Sequence, residues 1–268
     1  MLYVLCFILI TGIVMLLYGW WDTHRFAVRS VEIELDRLPK AFDGFTILQV
    51  SDLHNRVYGR DGKAMIRTME DLSFDMIAVT GDLLDRHAPQ KRENGYWFAG
   101  EAAKLRTTYL IQGNHEWRIS DWTNIKRELV KRGVRVLDND KVTISRKSAH
   151  LTLIGSSEKA TAEDIRSLVP QDGCSLLLAH HPERIETYAS TGVDLVLSGH
   201  AHGGQVRLFG RGLFSPDQGV LPRYTSGVYT YGDTKLYVSR GAGNHSLLPP
   251  RIFDRPEIDL ITLKTPSR

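Results

Sequence analysis

Along this chain, apolar runs of strand length recur, and each breaks on Gly, Asp, Asn or His. Residues 45–50 (FTILQV) lead into SDLHN, 75–80 (DMIAVT) into GDLLD, and 108–112 (TYLIQ) into GNHE. Residues 175–179 (SLLLA) lead into HHPE, and 193–198 (VDLVLS) into GHAHGG. Short continuous apolar runs bounded in this way predict buried strands. Between them, residues 61–72, 96–105, 123–133 and 182–191 space their apolar positions as helices do, the third closing on Gly133 as a C-cap. Residues 134–145 read as a strand, an Asn-Asp turn and a second strand. Strands alternating with helices predict an α/β fold, and such folds gather ligands beyond the carboxyl ends of their strands. Five polar motifs far apart in sequence are therefore expected to meet on one rim.

The first 21 residues break this pattern. They contain no charged side chain. At about 1.5 Å per residue they make a helix of roughly 30 Å, enough to cross the hydrocarbon core of a bilayer. Tyr18, Trp20 and Trp21 fall where an interfacial aromatic belt would lie. The run is long for a signal peptide and has neither a basic start nor a small-residue cleavage site. The expected organisation is a transmembrane anchor at 1–21, a connector with a first strand at 22–44, and a catalytic domain at 45–268. That makes a single-pass protein of the cell membrane. Arg25 and Arg29 alone leave the side of the catalytic domain open.

Composition changes the picture little. The chain has 268 residues, 42% of them hydrophobic, enough for one substantial core. A net charge of +3, from well-mixed charges without a long basic run, argues against a nucleic-acid partner. No protein partner is inferred. Two isolated cysteines, Cys6 and Cys174, make no disulfide framework.

The strand ends carry the chemistry. Asp52, His54, Asp82, Asn114, His180, His200 and His202 can fill two adjacent coordination shells if Asp82 bridges them. Mixed carboxylate, amide and imidazole donors suit two divalent ions of Mn, Fe or Zn. Ions ~3.5–4 Å apart can share a hydroxide and stabilise both oxygens of an in-line displacement at phosphorus. Arg86 and Lys91, in the loop after Asp85, are expected to bind a second phosphate. Leu208, Phe209, Leu213 and Phe214 read either as strand and loop core or as contacts for an acyl chain or bilayer. His245 and Arg251 read as structural.

The ordered motifs D-x-H, GDxxD, GNHE, H-x-P and GHxHGGQ resemble those of the calcineurin-like metallophosphoesterase superfamily. The last motif, the apolar N-terminus, YVSRGAG and RPEI resemble its bacterial, membrane-associated YkuE/YaeI-like branch. The resemblance implies a four-layer αββα sandwich with two central mixed sheets. It implies that Asp52, His54 and His202 hold one ion, that Asn114, His180 and His200 hold the other, and that Asp82 bridges. His115 would face the leaving oxygen as acid, with Asp85 accepting a hydrogen bond from its imidazole, and His181 would neighbour the ligands and touch substrate. A metal-bridging hydroxide would then hydrolyse a phosphomonoester, phosphodiester or pyrophosphate. A known activity class of the branch makes a lipid-linked pyrophosphate such as UDP-2,3-diacylglucosamine the lead substrate. The rivals are a serine/threonine protein phosphatase and a catalytically silent membrane scaffold. The first is disfavoured by His87 and Gln112, which replace a Gly and an Arg of the phosphate clamp; the second is disfavoured by the intact ligand set.

Overall fold

The computed structural model describes residues 1–244 and 250–266; His245 lies outside the described residues. Seven helices are α1 (Leu2–Thr23), α2 (Ala64–Glu70), α3 (Arg92–Leu105), α4 (Asn114–Trp117), α5 (Trp122–Lys131), α6 (Ala162–Arg166) and α7 (Ile185–Ala189). The strands up to the functional edge are β1 (Ala27–Glu34), β2 (Thr46–Val50), β3 (Met76–Val79), β4 (Thr108–Leu110), β5 (Arg135–Val136), β6 (Asp140–Arg146), β7 (Ala149–Gly155), β8 (Cys174–Leu178) and β9 (Leu195–Ser198). Beyond it come the ribbon strands β10 (Arg207–Leu208), β11 (Arg211–Gly212), β12 (Phe214–Ser215) and β13 (Gly219–Val220). The chain closes with β14 (Gly227–Tyr231), β15 (Thr234–Val238) and β16 (Glu257–Lys264).

Two six-stranded sheets form the centre, ordered β1-β16-β2-β3-β4-β5 and β14-β15-β9-β8-β7-β6. Both are mixed. In the first, β2 to β5 run parallel, while β16 pairs antiparallel with β2 and parallel with β1. In the second, β15, β9, β8 and β7 are parallel and the edge strands β14 and β6 antiparallel.

The central strands are apolar without alternation because both faces of each sheet are covered. Ile47, Met76, Ala78 and Tyr109 point from the first sheet to meet Leu153, Leu176, Leu178 and Leu197 from the second. Their neighbours Leu48, Val50, Ile77 and Val79 point the other way, onto Met65, Met69, Phe98 and Leu129 of the first helical layer. On the far side, Ile154, Leu177, Val196 and Leu236 pack on Ile165, Ile185 and Tyr188. The result is the expected four-layer αββα sandwich.

The predicted helix at 61–72 is trimmed to α2, that at 96–105 starts earlier as α3, and that at 123–133 becomes α5. The 182–191 stretch splits into a 3-10 turn, Pro182–Arg184, and α7. Residues 134–145 become β5, a turn with Asn139 at φ 52°, and β6.

α1 leaves the domain with its apolar side chains exposed; only Gly19, Asp22 and Thr23 are buried. Its last turn docks on the 250–255 segment. The Arg251 N–H donates to Thr23 Oγ1 at 2.8 Å, and Arg255 Nε reaches Asp22 Oδ1 at 2.8 Å. A Cβ on Gly19 would come within 2.9 Å of Ile252, so this contact needs a bare backbone. Gly19 keeps it open.

Leu197 is fully buried between the two sheets. Leu197→Ala should cost about 2–5 kcal/mol of stability, read as a lowered midpoint in thermal or urea unfolding. A change within measurement error would show that this interface does not hold the sheets together.

Candidate functional site

Five loops leave the carboxyl ends of β2, β3, β4, β8 and β9 and converge. The loops after β2 and β3 pair by backbone bonds: Asp52 N–H to the Gly81 carbonyl, His54 N–H to that of Asp82, and Asn55 N–H to that of Leu83, each 3.0 Å. The backbone is strained here. Asp52, His54, Asp82, His200 and His202 all take left-handed φ, between 46° and 66°. Side-chain-bearing residues avoid that region unless their surroundings enforce it, and such strain gathers at functional sites.

What enforces it is close approach of loops with no room to spare. A Cβ on Gly199 would sit 1.8 Å from Ser51 Oγ, and one on Gly113 would sit 2.3 Å from Asp82 Oδ1. Glu116, from the same GNHE turn, ties the loops together by accepting backbone N–H bonds from Asp82, Leu84 and Gly113 at 3.0, 2.7 and 3.0 Å.

The seven expected ligands come together, all buried. Ligand atoms of Asp52, His54 and His202 lie within 4.8 Å of one another, and so do those of Asp82, His180 and His200. Asp82 Oδ2 stands 3.3 Å from His180 Nε2 and 3.9 Å from His54 Nε2, so one oxygen faces both groups. Asn114 Oδ1 is 3.1 Å from His180 Nε2. The nitrogens His54 Nε2 and His202 Nε2 face each other at 3.2 Å. Lone pairs so concentrated suit divalent cations, which satisfy several at once. The donor set fits.

Electrostatics agree with that fit. Burial opposes ionisation of Asp82, but His180 beside it, then His115 and His54, hold its carboxyl well below the usual range. Burial likewise opposes charge on His180, yet Asp82 and Asp52 hold its proton to well above the usual imidazole range. Burial raises Asp52, with His180 countering and Asp82 reinforcing. His202 goes the other way: burial, then the Arg251 guanidinium, push it well below the ordinary value. It is therefore neutral, as a metal ligand must be. Burial and Asp82 push Glu116 to about 7 against its backbone donors. A cation neutralising Asp82 would remove part of that push.

His115 stands next to both groups, its ring 4.6 Å from that of His54. Its Nδ1 lies 3.3 Å from Asp85 Oδ1 and 3.2 Å from the Arg86 N–H. With Nδ1 bare the ring accepts from Arg86, and with Nδ1 protonated it donates to Asp85. Burial lowers its affinity for the proton, but Asp85 and Asp82 more than offset this, and its pKa is raised.

Of the residues expected to bind substrate, Arg86 lines a cleft of about 380 Å³ with His87, Arg92, Arg118, Ile119 and Ser120. Lys91 is exposed at the end of a 3-10 turn and does not line it. His181 is held between Glu158 and Glu183 at 2.8 and 2.7 Å, and burial is outweighed by these carboxylates, which raise its pKa.

Three contributors escaped the motif reading. Glu116 was visible in GNHE, where its helix-start position was the available signal. Asp217 places Oδ2 2.9 Å from His200 Nε2, and this bond to His200 lowers its own pKa to about 2. Arg251, fully buried, sets its guanidinium 2.9 Å from His202 Nδ1. Neither Asp217 nor Arg251 belongs to a local pattern.

With the geometry established, comparison with known proteins is direct. The family model described as calcineurin-like phosphoesterase matches residues 45–204. The chain is 31% identical over 255 residues to the uncharacterized metallophosphoesterase YkuE of Bacillus subtilis, covering 91% of this chain and 87% of that one. It is 29% identical over 260 residues to a Bos taurus transmembrane protein with a metallophosphoesterase domain, covering 89% of this chain and 57% of that one. Over 166 residues it is 30% identical to phosphodiesterase YaeI of Escherichia coli, covering 60% of each. Among solved structures, the sulfate thiohydrolase SoxB of Thermus thermophilus overlays with a TM-score of 0.51 at 12% identity, covering 85% of this chain and 57% of that one. That likeness is one of fold. The apolar α1 and the name of the bovine relative suggest membrane association. With its family model spanning the motif-bearing core and its donor-lined edge, the chain belongs to the calcineurin-like phosphoesterase family and is a metal-dependent phosphoesterase.

Proposed function

We propose that this chain is a two-metal hydrolase of phosphodiester or pyrophosphate bonds in membrane lipids, with a lipid-linked pyrophosphate such as UDP-2,3-diacylglucosamine the lead substrate. The carrying observation is Arg251, whose backbone N–H is on Thr23 and whose guanidinium is on His202. A single residue separates the end of the membrane-length helix from the donor cluster. In this reading residues 1–21 span the cell membrane once, 22–44 connect, and 45–268 carry the chemistry.

Asp52, His54 and His202 would hold one ion, and Asn114, His180 and His200 the other, with Asp82 Oδ2 facing both. Divalent ions there supply Lewis acidity at the phosphoryl oxygens and acidify water. His115, kept protonated by Asp85 and Asp82 against its burial, gives its proton to the leaving oxygen. The spent imidazole keeps its Nδ1 proton on Asp85. Arg86, with Arg92 and Arg118 in the same cleft, binds the second phosphate of a diphosphate.

Purified protein should hydrolyse bis-p-nitrophenyl phosphate when manganese is added, and Asp82→Asn should reduce this to background. His115→Gln should lower kcat by about 10²–10⁴ with bound manganese unchanged. A kcat within a factor of two of wild type would remove His115 from the chemistry.

The pH dependence of metal binding follows from His180. Its metal-free pKa is raised well above the ordinary value by Asp82 and Asp52. A proton must therefore leave when a cation enters, and affinity weakens as pH falls through and below neutrality. Calorimetric titration with manganese in buffers of different ionisation enthalpy should show net proton release near pH 7; none would contradict the assignment of His180.

Substrate class is tested by comparing a diacylated nucleotide-sugar pyrophosphate with its deacylated form, both supplied to protein in vesicles. Acyl chains that supply remote binding energy should raise kcat/KM by about 10-fold or more. Equal values would leave a metal-dependent phosphoesterase without a lipid preference.

A further inference from the structure

The segment from Val206 to Pro222 leaves the functional edge as two ribbons, β10–β11 and β12–β13. At the tip of the first, Phe209 and Gly210 take φ of 51° and 80°. Such a two-residue turn is ordinarily built from Asn-Gly or Gly-Gly, because both positions need left-handed backbone. Here a phenyl ring occupies the first position, and it is completely exposed. Leu221 also takes left-handed backbone, φ 55°, at 69% exposure beside Val220 at 77%; both stand at the open end of the second ribbon, whose turn is 216–218. Leu208 and Phe214 are also exposed. The chain therefore accepts backbone strain and places bulky apolar groups in water at two neighbouring points, with no packing in return.

The cleft beside these positions is basic. A cleft of about 410 Å³ beside them is lined by Arg207, Arg211, Arg223, Leu221 and Pro222 among others, and among the described residues none of its lining is acidic. Its root also matters. Val206 bridges to Ile252, the residue against which Gly19 of α1 is packed, and the ring of Phe253 lies 5.1 Å from that of Tyr18. The ribbons spring from the strip of chain on which the membrane-length helix ends.

We propose that Phe209, Val220 and Leu221 insert into the bilayer interface beside α1, with Arg211 and Arg223 against anionic headgroups. The ribbons are then a second membrane contact, and the functional edge opens toward the lipid surface. Exposed aromatic and aliphatic tips flanked by arginines have the composition of interfacial insertion. The inference rests on the reading of α1 as a membrane segment. It deepens the lipid reading, because the same β12–β13 ribbon carries Asp217, which is bonded to His200.

The test uses the full chain in vesicles of phosphatidylethanolamine and phosphatidylglycerol. With Cys6→Ser in place and Cys174 buried, single substitutions Phe209→Cys, Val220→Cys and Leu221→Cys accept a nitroxide label. Lys147→Cys, on the β6–β7 turn at the opposite ends of the strands, gives the aqueous reference; Ile10→Cys reports on α1. Collision rates with oxygen and with a water-soluble nickel chelate are read by electron paramagnetic resonance. The expected result is an oxygen-to-nickel ratio at the three labelled positions well above that at Lys147→Cys. A ratio equal to the reference overturns the proposal. So does low collision with both reagents, which would mean that a second copy of the chain covers the tips. A water-like label at Ile10→Cys would instead sink the anchor reading. Manganese-dependent hydrolysis of bis-p-nitrophenyl phosphate by the same samples reports separately on the phosphoesterase reading.

Discussion

Two buried carboxylates of like charge, Asp52 and Asp82, set the terms for everything at the functional edge. Neither is exposed to solvent, and both lie near the same imidazole, His180. A buried charge is tolerated only when it is paired or coordinated. In the metal-free protein the His180 proton provides that pairing; a divalent cation provides it better and frees the proton. The donors are already converged without an ion, and a divalent cation would replace the His180 proton between the two carboxylates.

The cost of assembling those donors is carried by the backbone. Five of the seven donor residues stand in left-handed conformations, and the glycines between them leave no space for a methyl group. Such loops hold only because rigid layers fix them from below. β2, β3, β8 and β9 are buried on both faces, so their carboxyl ends cannot drift. Glu116 then pins three backbone amides across the β3 and β4 loops. The order of dependence runs from packed sheets, through strained loops, to a converged donor set.

Arg251 extends that dependence to the apolar helix. Being fully buried, it must place its charge on partners, and these are the Arg240 and Gly243 carbonyls, His202 and nearby Asp254. The same residue fastens its backbone to Thr23. Together with burial, its side chain keeps His202 neutral while its main chain secures the end of α1, so the helix is a structural neighbour of the functional edge.

The sequence by itself determined the elements and the donor list. Continuous apolar runs such as SLLLA and VDLVLS announce strands covered on both faces, and the residue types that end them (Asp52, Asp82, Asn114, His180, His200) announce coordination chemistry, because both signals are local. Tertiary structure alone decided which distant residues complete the edge. Arg251, Asp217 and Thr23 carry no motif, since their partners lie 49, 17 and 228 residues away in the chain. It also decided that Phe209 is exposed on a left-handed turn rather than buried in a strand. Periodicity reports which side chains alternate; only packing reports what covers them.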